Sequence, residues 1–441
     1  MSYKNKKHNV KESIEEYTKV KNKTTSPTRK KNSKNNSSKE ISKTSFNTIE
    51  VIIIMVITIL FGILIGYFIC YIRNDSKQDF SKDEINGFIE LYDDVLDEYY
   101  KDIDSEDLIE YAIKGMIDNL DDQYSEYINK EDVDLYEEKL KGSFVGIGVE
   151  IMYVENGSPI ITKVYDDSPA KESGIINGDI LYKVENKELL GLSMEEISNL
   201  IKKGKNGETI KITILRNNEE KEFEIERKIV ELESVSIDYI DSNNNKIGII
   251  AINNFAQNTY LQFKKIYKEA VDNNIDSLII DVRNNSGGYL SSAKNIAELF
   301  LDKGNTIYLK DNDGSIERII STSDKEIQIN VILLINNGTA SASEVFVAAL
   351  QDNLNIVTVG TNTYGKGTIQ KLKKLSSGAY VKFTVQTWLT PNGNQVDGIG
   401  ITPTFYIEQS ELFYNNPTKE NDVQLAKAIE LLNKGDWFIN G

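Results

Sequence analysis

Histidine and cysteine are almost missing from this chain. His8 and Cys70 are the only ones in 441 residues, and neither lies within residues 74–441. A Ser-His-Asp triad and a Cys-His dyad both need an imidazole, so both are excluded from that part. Zinc sites built from Cys and His are excluded with them, and a single cysteine closes no internal disulfide. A hydroxyl activated there needs another base. Lysine is the side chain best suited, because burial can move its pKa toward neutrality.

The body also lacks net positive charge. The first 50 residues carry 13 Lys/Arg and 5 Glu, whereas residues 74–441 carry 37 basic and 63 acidic residues, a balance of −26. Phosphate binding needs clustered cations, so nucleic acid is not expected as a partner. With 40% hydrophobic and 27% charged residues the chain reads as globular. Its length calls for two or three domains.

Residues 1–47 are rich in Lys, Asn and Ser and too poor in apolar side chains to build a core, so a disordered basic tail is expected. Val51–Ile72 follows, 22 residues without a formal charge, long enough to cross a bilayer at ~1.5 Å per residue. The alternative is a cleaved signal peptide, but the run exceeds the usual apolar region of one, and no small-x-small cleavage site follows. Residues 48–73 are therefore expected to form a single-pass transmembrane helix, with the tail cytoplasmic and the remainder extracytoplasmic. Gly62 and Gly66 make a G-x-x-x-G within it, a spacing that supports helix pairing and is common in membrane helices.

Residues 80–140 are expected to be a small helical region. Ile85, Phe88, Leu91, Val95 and Leu96 recur at helical spacing, and Asp104-Ser105 offers a cap for a second helix over about 106–120. No chemistry is visible on these helices, which are available for packing or for pairing two copies as a homodimer. From Gly142 short alternating strands appear. Gly146-Ile147-Gly148, Ser168-Pro169-Ala170, Gly174-Ile175 and Gly178-Asp179-Ile180 arrive in that order, followed by a helix at Met194–Ile201 and strands at Thr209–Leu215 and Glu222–Ile225. Residues 142–228 thus resemble a PDZ domain, β-rich with two helices. The resemblance makes Val145, Gly146, Ile147, Gly148 and Val149 the candidates for holding a peptide's C-terminal carboxylate on backbone N–H groups. Taken alone, Gly146 and Gly148 would read as a bulge or turn.

Residues 229–412 alternate strand and helix: strands at Lys246–Ile252, Ser277–Arg283 and Ile329–Ile335, helices at Thr259–Asn273, Ser291–Phe300 and Ala342–Leu350. Continuously apolar strands joined by helices imply an α/β core. Residues 413–441 are expected to be a C-terminal helical segment.

Three stretches of this core could carry chemistry. Val331–Ile335 runs through Asn336-Asn337-Gly338-Thr339-Ala340 to Ser341 and then a helix, so Ser341 stands at the end of the sheet beside backbone N–H groups at a helix N-terminus. The same residues also spell a capping box, Ser341-Ala342-Ser343-Glu344. Asp281-Val282-Arg283-Asn284-Asn285-Ser286 ends in Gly287-Gly288, a pair that can aim N–H groups at an oxyanion or simply make a turn. Lys366 lies 25 residues after Ser341, in Tyr364-Gly365-Lys366-Gly367. An exposed lysine cannot accept a proton at neutral pH, so this one needs burial to act as a base.

Together these stretches resemble the carboxyl-terminal processing peptidases, the tail-specific proteases with a Ser/Lys dyad. The resemblance covers about residues 80–440 and is strongest at 341–344 and 364–370. It implies an α/β protease core of the Clp/crotonase-like spiral type and a serine endopeptidase of a bacterial cell membrane, with no metal and no cofactor. Ser341 would be the nucleophile, Lys366 the base and Gln370 its orienting partner, with an oxyanion hole from the amides of Ala342, Gly287 and Gly288. Its partners would be polypeptides with apolar C-termini. Geometry read from sequence does not separate Ser341 from Ser343; the resemblance selects Ser341. Three departures stand out: Thr404 where the family usually has Asp, Lys203 where it often has Arg, and Gln123 where it places Pro. A non-catalytic PDZ adaptor is the alternative function. Acyl-CoA chemistry on the same scaffold is disfavoured by an extracytoplasmic location.

Overall fold

The computed structural model describes residues 82–153, 157–321 and 324–435, together with residues 47, 49, 55 and 57–64. Residues 1–46 of the expected tail and most of the expected membrane helix lie outside these residues. Residues 57–64 are helical. Among the described residues, no helix is long and apolar enough to cross a membrane. Two compact units divide between Met116 and Ile117.

In the first unit the helix Lys82–Glu98 precedes the helix Ser105–Asp118, which runs on into the second. Asp104 caps the latter, its Oδ1 accepting from the Glu106 N–H at 2.7 Å. Ile85, Phe88 and Leu91 leave 52%, 52% and 62% of their surfaces exposed.

Among the described residues the second unit holds four sheets, the smallest pairing Ser143–Gly146 with Lys228–Glu231. Residues 149–226 form a sheet in the order Val149–Tyr153, Pro159–Val164, Ile180–Val184, Thr209–Arg216, Glu219–Glu226, with Lys187–Glu188 paired to the third strand. Alternate residues Ile210, Ile212 and Ile214 point into its core beside Ile161, Leu181 and Ile197. Buried Asp179 is held by Arg216 in a two-pronged pair, both contacts 2.7 Å. Val149–Tyr153 is the sheet edge and contacts the helix Met194–Lys202, which opens on a Ser193/Glu196 capping box.

A second six-stranded sheet orders its strands Val235–Ser242, Asn245–Ile252, Ser277–Asp281, Asn330–Ile335, Val357–Gly360 and Phe405–Tyr406; the first pair is antiparallel and the rest parallel. Alternation puts Val331, Leu333 and Ile335 on one face, under the helices Thr259–Asp272, Leu290–Glu298 and Ala342–Leu354. Ile332 and Leu334 face the other way, against Leu425, Ala428 and Leu431 of the helix Val423–Lys434. Helices on both faces explain why these strands are apolar without interruption.

A further sheet is built around the strand Tyr380–Leu389. Tyr380–Leu389 pairs with Thr368–Lys374, with Gly304–Lys310 and with Glu126–Ile128. Residues 126–128 thus form a strand inside the segment expected to be helical throughout. That segment is too short and mixed to show the pairing, because its partner lies about 250 residues away in sequence, Glu126 opposite Lys382.

The last helix is tied to the sheet by a buried ion network. Arg283 Nη2 reaches Asp281 Oδ2 at 2.6 Å and Asp422 Oδ2 at 2.8 Å, and Nη1 donates to Gln424 Oε1 at 2.9 Å. Asp422 also caps that helix, accepting from the Leu425 N–H at 2.9 Å. Burial opposes charge on Asp422, but the bond and charge of Arg283 outweigh it, so its pKa lies below the ordinary carboxylate value. The stability that this charge confers is present above the ordinary value and is lost as pH falls through the lowered one. Asp422→Asn is expected to cost about 3 kcal/mol in urea unfolding at neutral pH, since it strips one partner from a buried guanidinium. A cost near zero would mean that the network does not hold the helix.

Candidate active site

Ser341 closes the turn between the strand ending at Ile335 and the helix beginning at Ala342. The turn is pinned from inside: Thr339 Oγ1 donates to the Val282 carbonyl at 2.8 Å, and the Ala340 N–H donates to the Asn285 carbonyl at 3.0 Å. Ser341 sits at φ 56°, ψ −119°, a backbone state that costs on the order of 1–3 kcal/mol in a non-glycine residue. Ser343 is fully buried, and its hydroxyl donates to the Asn285 carbonyl at 2.9 Å. Of the two serines that the sequence left in contention, only Ser341 is partly open to solvent.

The glycine pair lies against this turn. Gly287 has φ +102°, and a Cβ there would stand 2.9 Å from both the Ala342 nitrogen and Ser341 Cβ. No other residue type permits so close an approach. The Gly287 N–H donates to Asn285 Oδ1 at 2.9 Å. Among the described residues, no partner takes the Gly288 or the Ala342 N–H. Of the three amides named from sequence, these two remain available to an oxyanion, and Gly287 contributes by having no side chain.

Lys366 lies in the loop after Val357–Gly360. Glu344 joins this loop to the serine turn. Its Oε1 accepts from Thr363 Oγ1 at 2.6 Å and from the Gly365 N–H at 2.7 Å; its Oε2 accepts from the Lys366 N–H at 2.8 Å and from the Ser341 N–H at 2.9 Å. Burial pushes the Glu344 pKa up, and these bonds oppose the rise without cancelling it. In the sequence Glu344 was visible only as the far end of a capping box, and its half of that box is present, the Ser341 N–H donating to its carboxylate. Its second task, receiving the lysine loop, depends on a contact 22 residues away in sequence.

The Lys366 amine lies 4.5 Å from the centre of the Tyr124 ring. Burial is the main cause lowering its pKa, and the nearby Lys382 adds to it; Asp122, Glu126 and Glu344 pull the other way without restoring the ordinary value. Among the described residues, no hydrogen bond joins Lys366 Nζ to Ser341 Oγ. Such bonds often tighten only with substrate bound. Gln370 Nε2 donates to Thr368 Oγ1 at 2.8 Å and Thr384 Oγ1 at 3.1 Å rather than to the lysine. Asp122 and Tyr124 belong to the stretch in which no chemistry was visible; in the sequence they flank Gln123, which stood out only as a departure from the family's proline.

In a separate two-stranded sheet ahead of the 149–226 sheet, Val145 and Gly146 pair with Ile229 and Lys228. Ile147 is buried, and its carbonyl accepts from the Ala170 N–H at 2.8 Å. Gly148 has φ +80° with Ser168 so close that a Cβ would fall 2.3 Å from Ser168 Cβ. Val149 then begins the edge strand beside the helix Met194–Lys202, the arrangement in which an added peptide strand can pair with a sheet edge.

Glu344→Gln keeps the size but offers one acceptor oxygen to donors that now meet two, leaving buried N–H groups facing an NH2. The expected loss is about 1–3 kcal/mol for each orphaned donor, read as a lowered urea midpoint; an unchanged midpoint would mean that the carboxylate does not bind the two loops together.

Comparison with known proteins agrees with this layout. Residues 246–407 match the model of peptidase family S41, residues 145–226 that of the PDZ domain, and residues 71–132 that of the activating protease CtpB N-terminal domain. A "probable CtpA-like serine protease" of Staphylococcus haemolyticus is 35% identical over 335 residues, covering 75% of this chain and 65% of the relative. One from Staphylococcus aureus is 35% identical over 327 residues, with 74% and 65% covered. The chain thus spans just under two thirds of the length of these curated relatives. Among solved structures, a photosystem II D1 C-terminal processing protease is 24% identical, with a TM-score of 0.42 over 73% of this chain and 86% of that one. The three matched regions in this order and the CtpA-like relatives support a chain of the CtpA/CtpB type, similar to the proteins of peptidase family S41.

Proposed function

We propose that this chain is a serine endopeptidase that takes hold of polypeptide C-termini through its PDZ domain and cleaves peptide bonds with Ser341 and Lys366. The observation that carries the reading is Glu344, whose buried carboxylate bonds the N–H groups of both residues. Ser341 Oγ attacks the scissile carbonyl while neutral Lys366 Nζ takes its proton and passes it to the leaving amine; water then hydrolyses the acyl-enzyme by the same exchange. The N–H groups of Ala342 and Gly288 receive the oxyanion. Gln370 turns from its threonines to orient the amine once substrate is bound. The peptide adds to the Val149–Tyr153 edge, its carboxylate at 145–149. The apolar run 51–72 anchors the chain in a membrane, and the exposed apolar face of Ile85, Phe88 and Leu91 pairs two copies.

The test uses the full chain and a quenched fluorogenic peptide ending in Val-Ala-Ala. Ser341→Ala and Lys366→Ala are each expected to lower kcat/KM by at least about 100-fold. Full cleavage by either variant refutes the dyad. Only the unprotonated amine can act as base, so the rate is expected to be low in acid and to rise with pH through the lowered Lys366 pKa. A flat profile from acid to alkali would contradict Lys366 as the base.

A further inference from the structure

We infer that Tyr124 is a positioning residue for the lysine base: its ring is the wall against which the Lys366 amine is held and which keeps water from it. This rests on the Ser341/Lys366 reading above. The ring stands 4.5 Å from Nζ, within the range of a cation–π contact. It comes from the segment ahead of the PDZ domain, remote in sequence from both Ser341 and Lys366.

The placement is built rather than incidental. Asp122 Oδ1 accepts from the Tyr124 N–H at 3.1 Å, and its Oδ2 accepts from Ser125 Oγ at 2.5 Å and Thr384 Oγ1 at 2.6 Å. Ser125 Oγ in turn accepts from the Thr384 N–H at 3.2 Å. One residue on, Glu126 pairs with Lys382 at 2.5 Å. The turn bearing the ring is therefore bound at several points to the strand Tyr380–Leu389. The same Thr384 hydroxyl receives Gln370 Nε2, so turn, ring and Gln370 share one support.

The phenol itself is not a rival base. Burial and the Tyr364 hydroxyl push its pKa up to about 12, so it stays protonated while the lysine titrates. The groups facing the amine are Asp122 and Glu126 from the ring's own segment, Glu344 from the helix and Lys382 from the neighbouring strand. Three of the four favour the charged amine. What opposes them is chiefly burial, and the ring supplies part of it. Taking the ring away admits water and leaves the three carboxylates in place, so the amine shifts toward its charged form. The lost cation–π contact works in the opposite direction and is the smaller effect.

The experiment compares full-chain wild type, Tyr124→Ala, Tyr124→Phe and Lys366→Ala on the same fluorogenic peptide, with kcat and KM followed along the rising limb of the pH profile. Tyr124→Ala is expected to lose about tenfold or more in kcat, with KM changed by less than about twofold and the limb moved to higher pH. Tyr124→Phe, which keeps the ring, is expected to recover most of kcat and the original limb. A purely structural role would not move the limb. Should the alanine variant not fold, Tyr124→Asn is read in its place. The inference is overturned if ring removal leaves kcat and limb unchanged, or if phenylalanine behaves as alanine does. Lys366→Ala separates the two failures: full activity there removes the dyad itself, whereas an inactive Lys366→Ala beside an unmoved Tyr124→Ala limb removes only the role of Tyr124.

Discussion

The carboxylate of Glu344 receives four hydrogen bonds in a place with no access to solvent, and the site depends on that arrangement. A buried carboxylate without partners is costly enough to take up a proton or to reorganise its surroundings. Here the partners come from two separate stretches, the serine turn and the lysine loop, so neither can move without exposing the charge to an unsatisfied environment. Glu344 also lies in the first turn of the helix that begins at Ala342, where the helix dipole favours negative charge. The strained backbone of Ser341 is thereby held from both sides, by Glu344 through its N–H and by Gly287 against its Cβ.

With no histidine in residues 74–441, the proposed base is a group that is normally protonated. Burial is what lowers its pKa. Lys366 has carboxylates near it, which alone would leave it a stronger acid–base mismatch at neutral pH, and the shift toward neutrality survives because desolvation, helped by Lys382, is the larger effect. Gly365 and Gly400 let the backbone close around the loop: a Cβ at Gly400 would fall 2.3 Å from the Thr363 carbonyl oxygen. The segment 397–401 packs against the same loop, with the Gly367 N–H on Asp397 and the Gly398 N–H on the Gly365 carbonyl.

What could be read from the sequence was local. The parallel strands showed themselves as unbroken apolar runs, and Asp104 and Ser341 lay at helix starts where capping chemistry puts such residues. The order of turn glycines located the PDZ elements because each answers a positive φ or a close approach, as Gly148 does against Ser168. What could not be read was set by distant contacts. Glu126–Ile128 is a strand only because Tyr380–Lys382 lies beside it. The Gly287 amide is occupied only because the Asn285 side chain turns back onto it. Tyr124 meets Lys366 across some 240 residues of chain, and no periodicity or spacing rule connects them.

Whether burial keeps the Lys366 amine available as the proposed base is read from its own titration. With 13C-labelled lysine in the full-length Ser341→Ala protein, the Lys366 Cε resonance can be followed against pH and assigned by its loss in Lys366→Ala. Burial of the amine predicts a midpoint below the ordinary lysine value of 10.5. A midpoint at or above that value would contradict it.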